Sequence, residues 1–339
     1  MGKTPPMADN LAKSLTGEIP LVWVLSDGTA GMVSQSLALA QALDMAYFDV
    51  RIFASPIYRL FPQMGTWIGM PISPRRNDRR IGPPWPDILI TCGKRTAGAA
   101  LAIRRLSKGQ TKIVQIQDPR ISPSYFDVMV VPKHDPIAAQ NHPHVVVSTG
   151  SLNRLTMPEI TKAVKELDKP LKKIKMAKTA VMIGGHNRRY RASRTDFEAL
   201  AERLKDFAAT HQRHLILVGS RRTPKSSLAA MTAVLGNTPH HIWDGKGPNP
   251  YPAVLGLADD IIVTSDSVNM ASEACLTGKP VYVAELQQET GRIAQFHQHL
   301  RQGGYTKALG EMFDQPPKIL DEMADIAQQV RRLLNIDDA

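Results

Sequence analysis

The sequence predicts an α/β protein made of two Rossmann-like, doubly wound domains in tandem, facing each other across a cleft. Three observations predict it. Short apolar runs alternate with helical patterns through most of the 339 residues, the rhythm of parallel-sheet proteins. That length exceeds what one hydrophobic core usually holds. The alternation is interrupted by a charged, proline-bearing stretch over residues 162–178 (KAVKELDKPLKKIKMAK) and restarts at Thr179. We expect a flexible start over 1–20, a first domain over 21–165, a linker over 166–178, a second domain over 179–310 and a C-terminal helical segment over 311–339.

In the first half, residues 21–25 form an apolar strand that ends in Ser26-Asp27-Gly28-Thr29-Ala30-Gly31. A helix follows over 32–43, with Leu37, Ala40 and Leu43 on one face. A second strand covers 47–53, and the Pro-, Gly-, Trp- and Arg-bearing region 56–86 is irregular. The strand 87–91 runs into Cys92-Gly93-Lys94-Arg95 and a helix that ends near Lys108. Further strands cover 112–117, 127–131 and 145–148. In the second half, strands cover 180–183, 215–218, 240–243, 261–263 and 281–283, with helices between them. The last segment, 317–334, is amphipathic, with Ile319, Met323, Ile326, Val330 and Leu334 at helical spacing.

Composition narrows the function classes. No run approaches about 18 apolar residues, so no membrane-spanning helix is expected. The start has no apolar core of a secretory signal. Cys92 and Cys275 lie in separate βα units without ligand spacing, so both are expected as buried packing residues in a reducing cytoplasm. The net charge is +11, from 42 basic and 31 acidic residues. Basic runs at 75–80, 172–178 and 188–194 suit phosphates or an anionic membrane surface; each run taken alone reads more readily as an ordinary solvated surface. Aromatics make up 6% and do not interleave with the basic runs, so no nucleic acid is expected. The histidines show no metal spacing, and no metal or cofactor is expected. His297 and His299 are placed on a surface helix.

The most informative stretch is 251–283 (YPAVLGLADDIIVTSDSVNMASEACLTGKPVYV). An apolar strand enters the loop Thr264-Ser265-Asp266-Ser267, and a helix begins beside Asn269. The loop therefore lies at a strand's carboxyl end and a helix's amino end, where α/β sheets place ligands and free N–H groups favour anions. Glu273, the acid of this small apolar helix, is placed to accept hydrogen bonds from ribose hydroxyls, or is simply solvated. The loop Gly184-Gly185-His186-Asn187-Arg188 follows another strand. Its glycines allow close backbone approach, and its arginine can pair with phosphate. It matches neither the dinucleotide fingerprint nor a phosphate-binding P-loop. Ser220 and Arg221 stand one unit later as candidates for a phosphate or a sugar. In the first half, Asp27 is a candidate general base for an acceptor hydroxyl, or a turn residue capping the helix. Thr29, Gly31, Lys94 and Arg95 line the same strand edge and suit an anionic acceptor. Asp118, His134 and Asp135 are rival bases, or turn residues beside prolines.

The segments SDGTAGMVSQSLALAQAL, ITCGKRTAGAALAIRR, IQDPR with VVPKHD, STGSLNRLT, IGGHNRRYR and TSDSVNMASEACLTGKPVYV resemble the mitochondrial fission family named for elongated mitochondria, known in plants and with many bacterial relatives. The resemblance spans about 21–310. The second half is more distantly similar to the donor domain of GT-B glycosyltransferases. That similarity implies a nucleotide-sugar held by Ser265-Asp266-Ser267, with Glu273 on its ribose and Gly184-Gly185 near its diphosphate. It also implies a C-terminal helix that crosses back to the first domain. The loop here lacks the glycine that many GT-B enzymes carry. The resemblance implies first a metal-independent glycosyltransferase using a nucleotide-diphosphate sugar and an anionic or lipid-linked acceptor, at the inner face of a membrane. The alternatives are a non-catalytic membrane-surface scaffold with a division or fission partner, and a sugar-nucleotide epimerase.

Overall fold

A computed structural model describes residues 19–53, 56–67, 81–167, 169–186, 192–243 and 245–336. The basic run 75–80, Asn187 and Arg188 lie outside them. The chain forms two compact units. The first takes the described residues up to Arg154 and those from Glu322 onward; the second is Leu155–Asp321.

The first unit holds a parallel sheet of β1 (Val22–Ser26), β2 (Tyr47–Arg51), β3 (Ile88–Cys92), β4 (Lys112–Ile116), β5 (Val128–Pro132) and β6 (Val145–Ser148), in the order β2-β1-β3-β4-β5-β6. Both faces are covered, which is why β1 and β3 read as unbroken apolar runs. Successive residues serve opposite faces. Val22, Val24 and Ile90 meet a core that includes Leu39 and Leu43, while Trp23, Leu25 and Leu89 meet one built around Ala97, Leu101 and Ile103. The helix Ala30–Ala42 covers the first face and the helix Lys94–Leu106 the second.

Two short elements interrupt the region expected to be irregular: a helix over Pro56–Leu60 and a 3-10 turn over Pro62–Thr66. They lie against the helix Lys94–Leu106. A side chain at Gly65 would meet the Gly98 carbonyl at 2.0 Å, so only glycine permits this approach.

The second unit holds β7 (Ala177–Ile183), β8 (Arg213–Gly219), β9 (His240–Trp243), β10 (Asp260–Thr264), β11 (Val281–Ala284) and β12 (Lys307–Ala308), all parallel, in the order β12-β11-β10-β7-β8-β9. Counted within the unit this is the order 3-2-1-4-5-6 of dinucleotide-binding sheets, and its direction switches between β7 and β10. In the first sheet the switch lies between β1 and β3. Both switch points place their loops where ligands bind in such folds.

Three expectations change. The chain passes between the units at Arg154–Leu155, ahead of the expected linker 166–178. The reason is packing: the helix Met157–Glu166 buries Ile160, and Leu155, Leu167 and Leu171 join the second unit's core. The C-terminal helix covers only Met323–Leu334. Leu320 ahead of it packs into the second unit, whereas Ile326, Val330 and Leu334 pack into the first. Ile319, assigned to the apolar stripe, is 62% exposed. The helix Gly291–Gln302 is not a surface helix along its whole length: Phe296, His297 and Leu300 are buried.

Candidate functional site

At the switch point of the second sheet, the loops after β7 and β10 are knitted together by one carboxylate. Asp266 is buried, and its Oδ2 accepts from the Gly185 amide at 3.0 Å. Its Oδ1 accepts from the Thr264 hydroxyl at 2.7 Å, and that hydroxyl oxygen in turn accepts from the Gly184 amide at 2.7 Å. The Arg222 guanidinium lies 2.9 Å from Oδ2. A Cβ on Gly184 would meet Asp266 Oδ1 at 2.1 Å, and one on Gly185 would meet the Arg222 carbonyl at 2.2 Å. The paired glycines thus admit a protein carboxylate and a neighbouring turn.

The turn after β8 is held the same way. Ser220 donates its amide to the Thr223 hydroxyl at 2.9 Å, and its own hydroxyl accepts from the Arg222 amide at 3.2 Å. The Thr223 hydroxyl donates toward the carbonyls of Ile183 and Gly184. Arg221 and His186 are exposed beside this framework. Ser267 caps the helix Val268–Cys275, accepting from the Met270 amide. The amides of this first helical turn, with Asn269 among them, form the anion-favouring end of the element.

Glu273 sits one turn further on, partly buried. Its Oε2 accepts from the Tyr251 hydroxyl at 2.6 Å. Burial raises the Glu273 pKa, and the Tyr251 hydrogen bond opposes part of that rise. Tyr251 is pushed well above its ordinary value by burial and then by the Glu273 charge, so it stays a donor. On the other flank of the loop, the Ser265 hydroxyl donates to Glu289 Oε1 at 2.7 Å. Burial raises Glu289, with the Asp266 and Glu285 charges adding to it and the Ser265 bond opposing. His297 Nε2 donates to the Ser265 carbonyl at 2.7 Å. Burial lowers the pKa of this imidazole, so it is neutral beneath the loop.

In the first unit, Asp27 and Arg95 meet across the β1/β3 switch. Asp27 Oδ2 lies 3.0 Å from Arg95 Nη1, and Oδ1 accepts from the Thr29 amide at 2.9 Å. Burial alone would raise the Asp27 pKa, but the Thr29 bonds and Arg95 outweigh it and hold the carboxyl below its usual value. That makes Asp27 a weak base. Gly31 lies in the first turn of the helix Ala30–Ala42, and Lys94 begins the helix Lys94–Leu106. Asp118 accepts from the Arg120 amide at 2.6 Å in a tight turn. His134 follows β5 and is partly buried, and Asp135 is buried at the start of a 3-10 turn. The amides of Thr149 and Gly150, after β6, hold the Glu322 carboxylate at 2.7 to 3.0 Å.

The sequence that builds these loops matches a known family. The profile described as mitochondrial fission ELM1 matches residues 30–334. The chain belongs to that family. The mitochondrial fission protein ELM1 of Arabidopsis thaliana is 32% identical over 276 residues, covering 74% of this chain. This chain spans only 64% of that relative's length. Among solved structures, the UDP-GlcNAc 2-epimerase of Methanocaldococcus jannaschii superposes with a TM-score of 0.54 at 12% identity, covering 94% of this chain and 100% of that one. The MurG of Acinetobacter baumannii superposes with a TM-score of 0.51 at 14% identity, covering 94% and 92%. These are GT-B enzymes, and the ELM1-family chain shares their α/β fold.

Of the residues singled out in the sequence, this ELM1-family structure brings together Gly184, Gly185, Ser265, Asp266, Ser267, Asn269 and Glu273 at one switch point, and Asp27, Thr29 and Arg95 at the other. Sequence reasoning missed Thr264, Arg222, Tyr251, Glu289 and His297. Arg222 neighbours the residue that was chosen, Arg221, and only the turn geometry separates them. Burial pushes the Cys275 thiol up to about 12 and the Cys92 thiol higher still. Both are buried and unreactive.

Proposed function

We propose that the second unit binds a nucleotide-diphosphate sugar and that the protein is a GT-B-type glycosyltransferase. The observation that carries this is the convergence of the Gly184-Gly185 loop, the capped start of the helix Val268–Cys275 and Glu273 at the switch of a 3-2-1-4-5-6 sheet. The solved neighbour named a UDP-GlcNAc 2-epimerase supports the ligand class. Asp266 already fills the space beside Gly184, and Ser267 takes the Met270 amide, so the diphosphate is assigned to the amides of Val268 and Asn269 rather than to the glycines themselves. Arg221 and His186, exposed at the rim, supply donors. Tyr251 orients Glu273 through Oε2, leaving Oε1 for ribose hydroxyls; the carboxyl must be ionised to accept from both. Backbone amides and arginine offset the charge of the departing diphosphate, and we propose that no metal is needed. An anionic or lipid-linked acceptor would use the edge carrying Lys94, Arg95, Asp118 and His134.

One observation favours a second reading, a membrane-surface scaffold. Asp27 is tied to Arg95 and Asp266 to Arg222, so two of the acids at the switch points are already ion-paired. Catalysis then requires a base such as Glu289, His134 or one supplied by the acceptor. A sugar-nucleotide epimerase is the third reading, and it would release altered sugar without any acceptor.

A thermal-shift panel of nucleotides and nucleotide-sugars tests the binding. Ligand at about 100 times its Kd adds about 2.7 kcal/mol of stability. A shift with one nucleotide-sugar, lost in Glu273→Ala, supports the transferase reading. The absence of any shift across the panel moves the assignment to the scaffold.

A further inference from the structure

Four exposed apolar side chains of the first unit lie on one short segment and on the helix it packs against, and together form a ridge. Leu60 is 65% exposed, Phe61 56% and Trp67 67%. All three come from the segment that carries the helix Pro56–Leu60 and the turn Pro62–Thr66. Leu106, 41% exposed, ends the neighbouring helix Lys94–Leu106. The segment runs along that helix from end to end. Leu60 lines a cavity with Lys94 and Arg95 at its start. Gly65 abuts Gly98 in its middle. At its end the Arg105 guanidinium donates to the Thr66 carbonyl at 3.3 Å.

Cations therefore stand at both ends of the ridge. At the far end, Arg104, Arg105, Lys108, Ser124, Tyr125 and Thr66 line an open cavity of about 430 Å³. Arg104 is paired with Asp127 at 3.3 Å, but Lys94, Arg105 and Lys108 enter no ion pair among the described residues. Residues 50–67 and 88–117 contain no aspartate or glutamate. Arg104 and Arg105 offset the helix's C-terminal dipole. Lys108, beyond the helix end, and Lys94, at the positive end of the dipole, have no such role.

A surface that is apolar along its crest and cationic at both ends, with Asp27 and Asp127 each engaged by an arginine, matches a layer of anions above hydrocarbon. A free phosphate would use the cavity and leave the ridge exposed. Tryptophan beside leucine suits the headgroup boundary of a bilayer, and nearby lysine and arginine reach anionic headgroups. No helix among the described residues is long and apolar enough to cross a membrane, so the contact this surface makes is a superficial one.

We propose that this ridge docks on an anionic phospholipid surface, with Leu60, Phe61, Trp67 and Leu106 entering the interface and the Arg104-Arg105-Lys108 cavity receiving a phosphate headgroup. The proposal deepens the membrane-acceptor part of the functional reading. It stands on first-unit residues alone, so a failed nucleotide panel leaves it intact.

The test is flotation of the full chain with phosphatidylcholine vesicles, with and without phosphatidylglycerol. Binding is expected only to the anionic vesicles, and it should weaken with salt. Arg105→Gln with Lys108→Gln should lower partitioning by about 25-fold, at about fivefold per cation. Leu60→Ser with Trp67→Ser should lower it independently. The two variants change different, exposed residues, so misfolding of one, seen in its melting curve, leaves the other to decide. No binding to anionic vesicles overturns the proposal, as does binding that both variants retain. Loss in the cationic variant alone, with inorganic phosphate competing, would mark a free-phosphate site and also overturn it.

Discussion

Asp266→Ala should unfold the loops after β7 and β10, and the cost can be worked from the partners this carboxylate has. The side chain is fully buried and accepts from the Gly185 amide and the Thr264 hydroxyl, while Arg222 adds an ion pair. Removing it leaves two buried donors without an acceptor, at about 1–3 kcal/mol each. Arg222 is 35% exposed, so water screens its share and rehydrates it after the loss. The expected destabilisation is about 3–5 kcal/mol, the range for breaking a buried pair from one side. Arg222→Ala should cost far less, because Asp266 keeps its other two donors. Asp266→Asn should fall between, since its carbonyl oxygen still satisfies one of them. A chain with two units need not unfold in one step, so the readout should be local. Hydrogen exchange of β7 and β10 amides, compared with that of β1 and β3, isolates the second unit. If Asp266→Ala changes β7 and β10 exchange by less than about 0.5 kcal/mol, the level of an ordinary surface change, the carboxylate is not the knot described. Equal effects from Asp266→Ala and Arg222→Ala would sink the argument too, because they would mean that the ion pair is the whole interaction.

Four further outcomes are expected. Tyr251→Phe removes the hydrogen bond that lowers Glu273, so that carboxyl should titrate higher. Nucleotide-sugar affinity, carried by the ionised form, should then be lost at a higher pH as pH falls; calorimetric titration across pH checks this. His297 has a folded pKa lowered by burial, so its stability contribution is full above about 6.5 and is lost as pH falls through the lowered value. Melting curves of His297→Gln should show a flatter acid limb, and an unchanged limb would mean the imidazole is not held neutral. Gly65→Ala places a methyl 2.0 Å from the Gly98 carbonyl and should cost about 1–3 kcal/mol as overpacking, read by denaturant unfolding of the first unit. Asp27→Asn should change stability by less than about 1 kcal/mol, as a partly exposed pair, yet should abolish transfer if Asp27 is the base; unaltered turnover would assign it to the turn.

The succession of strands and helices was largely legible, because strands buried on both faces leave apolar runs that need no long-range information to recognise. The loops at strand ends followed from the same alternation. What the sequence hid were side chains whose role depends on approach from another element. Thr264 read only as the first residue of a polar loop, and its hydroxyl gains meaning only when the Gly184 amide lies 2.7 Å away. His297 sits among polar neighbours, and nothing local says that this face of its helix turns under the Ser265 carbonyl. Asp266 read as a ligand-facing acid, but its carboxylate turns inward to Arg222. The charged stretch 162–178 looked like a linker because its few apolar residues are widely spaced. Those few, Leu167 and Leu171 among them, suffice to anchor it to the second unit's core.

The first unit is discontinuous in sequence, and that has a consequence for biosynthesis. Ile326, Val330 and Leu334 fill the same core as Val22, Leu39 and Val114, and Glu322 closes the amides of Thr149 and Gly150. Domains usually fold in the order they leave the ribosome. Here the sheet made first must wait, with one face only partly covered by the helix Ala30–Ala42, while the 167 residues of Leu155–Asp321 are translated and form a unit of their own. During that interval the nascent chain exposes the apolar groove that the last helix will occupy. Until the last helix arrives, that groove leaves the unfinished unit more prone to aggregate than the finished one.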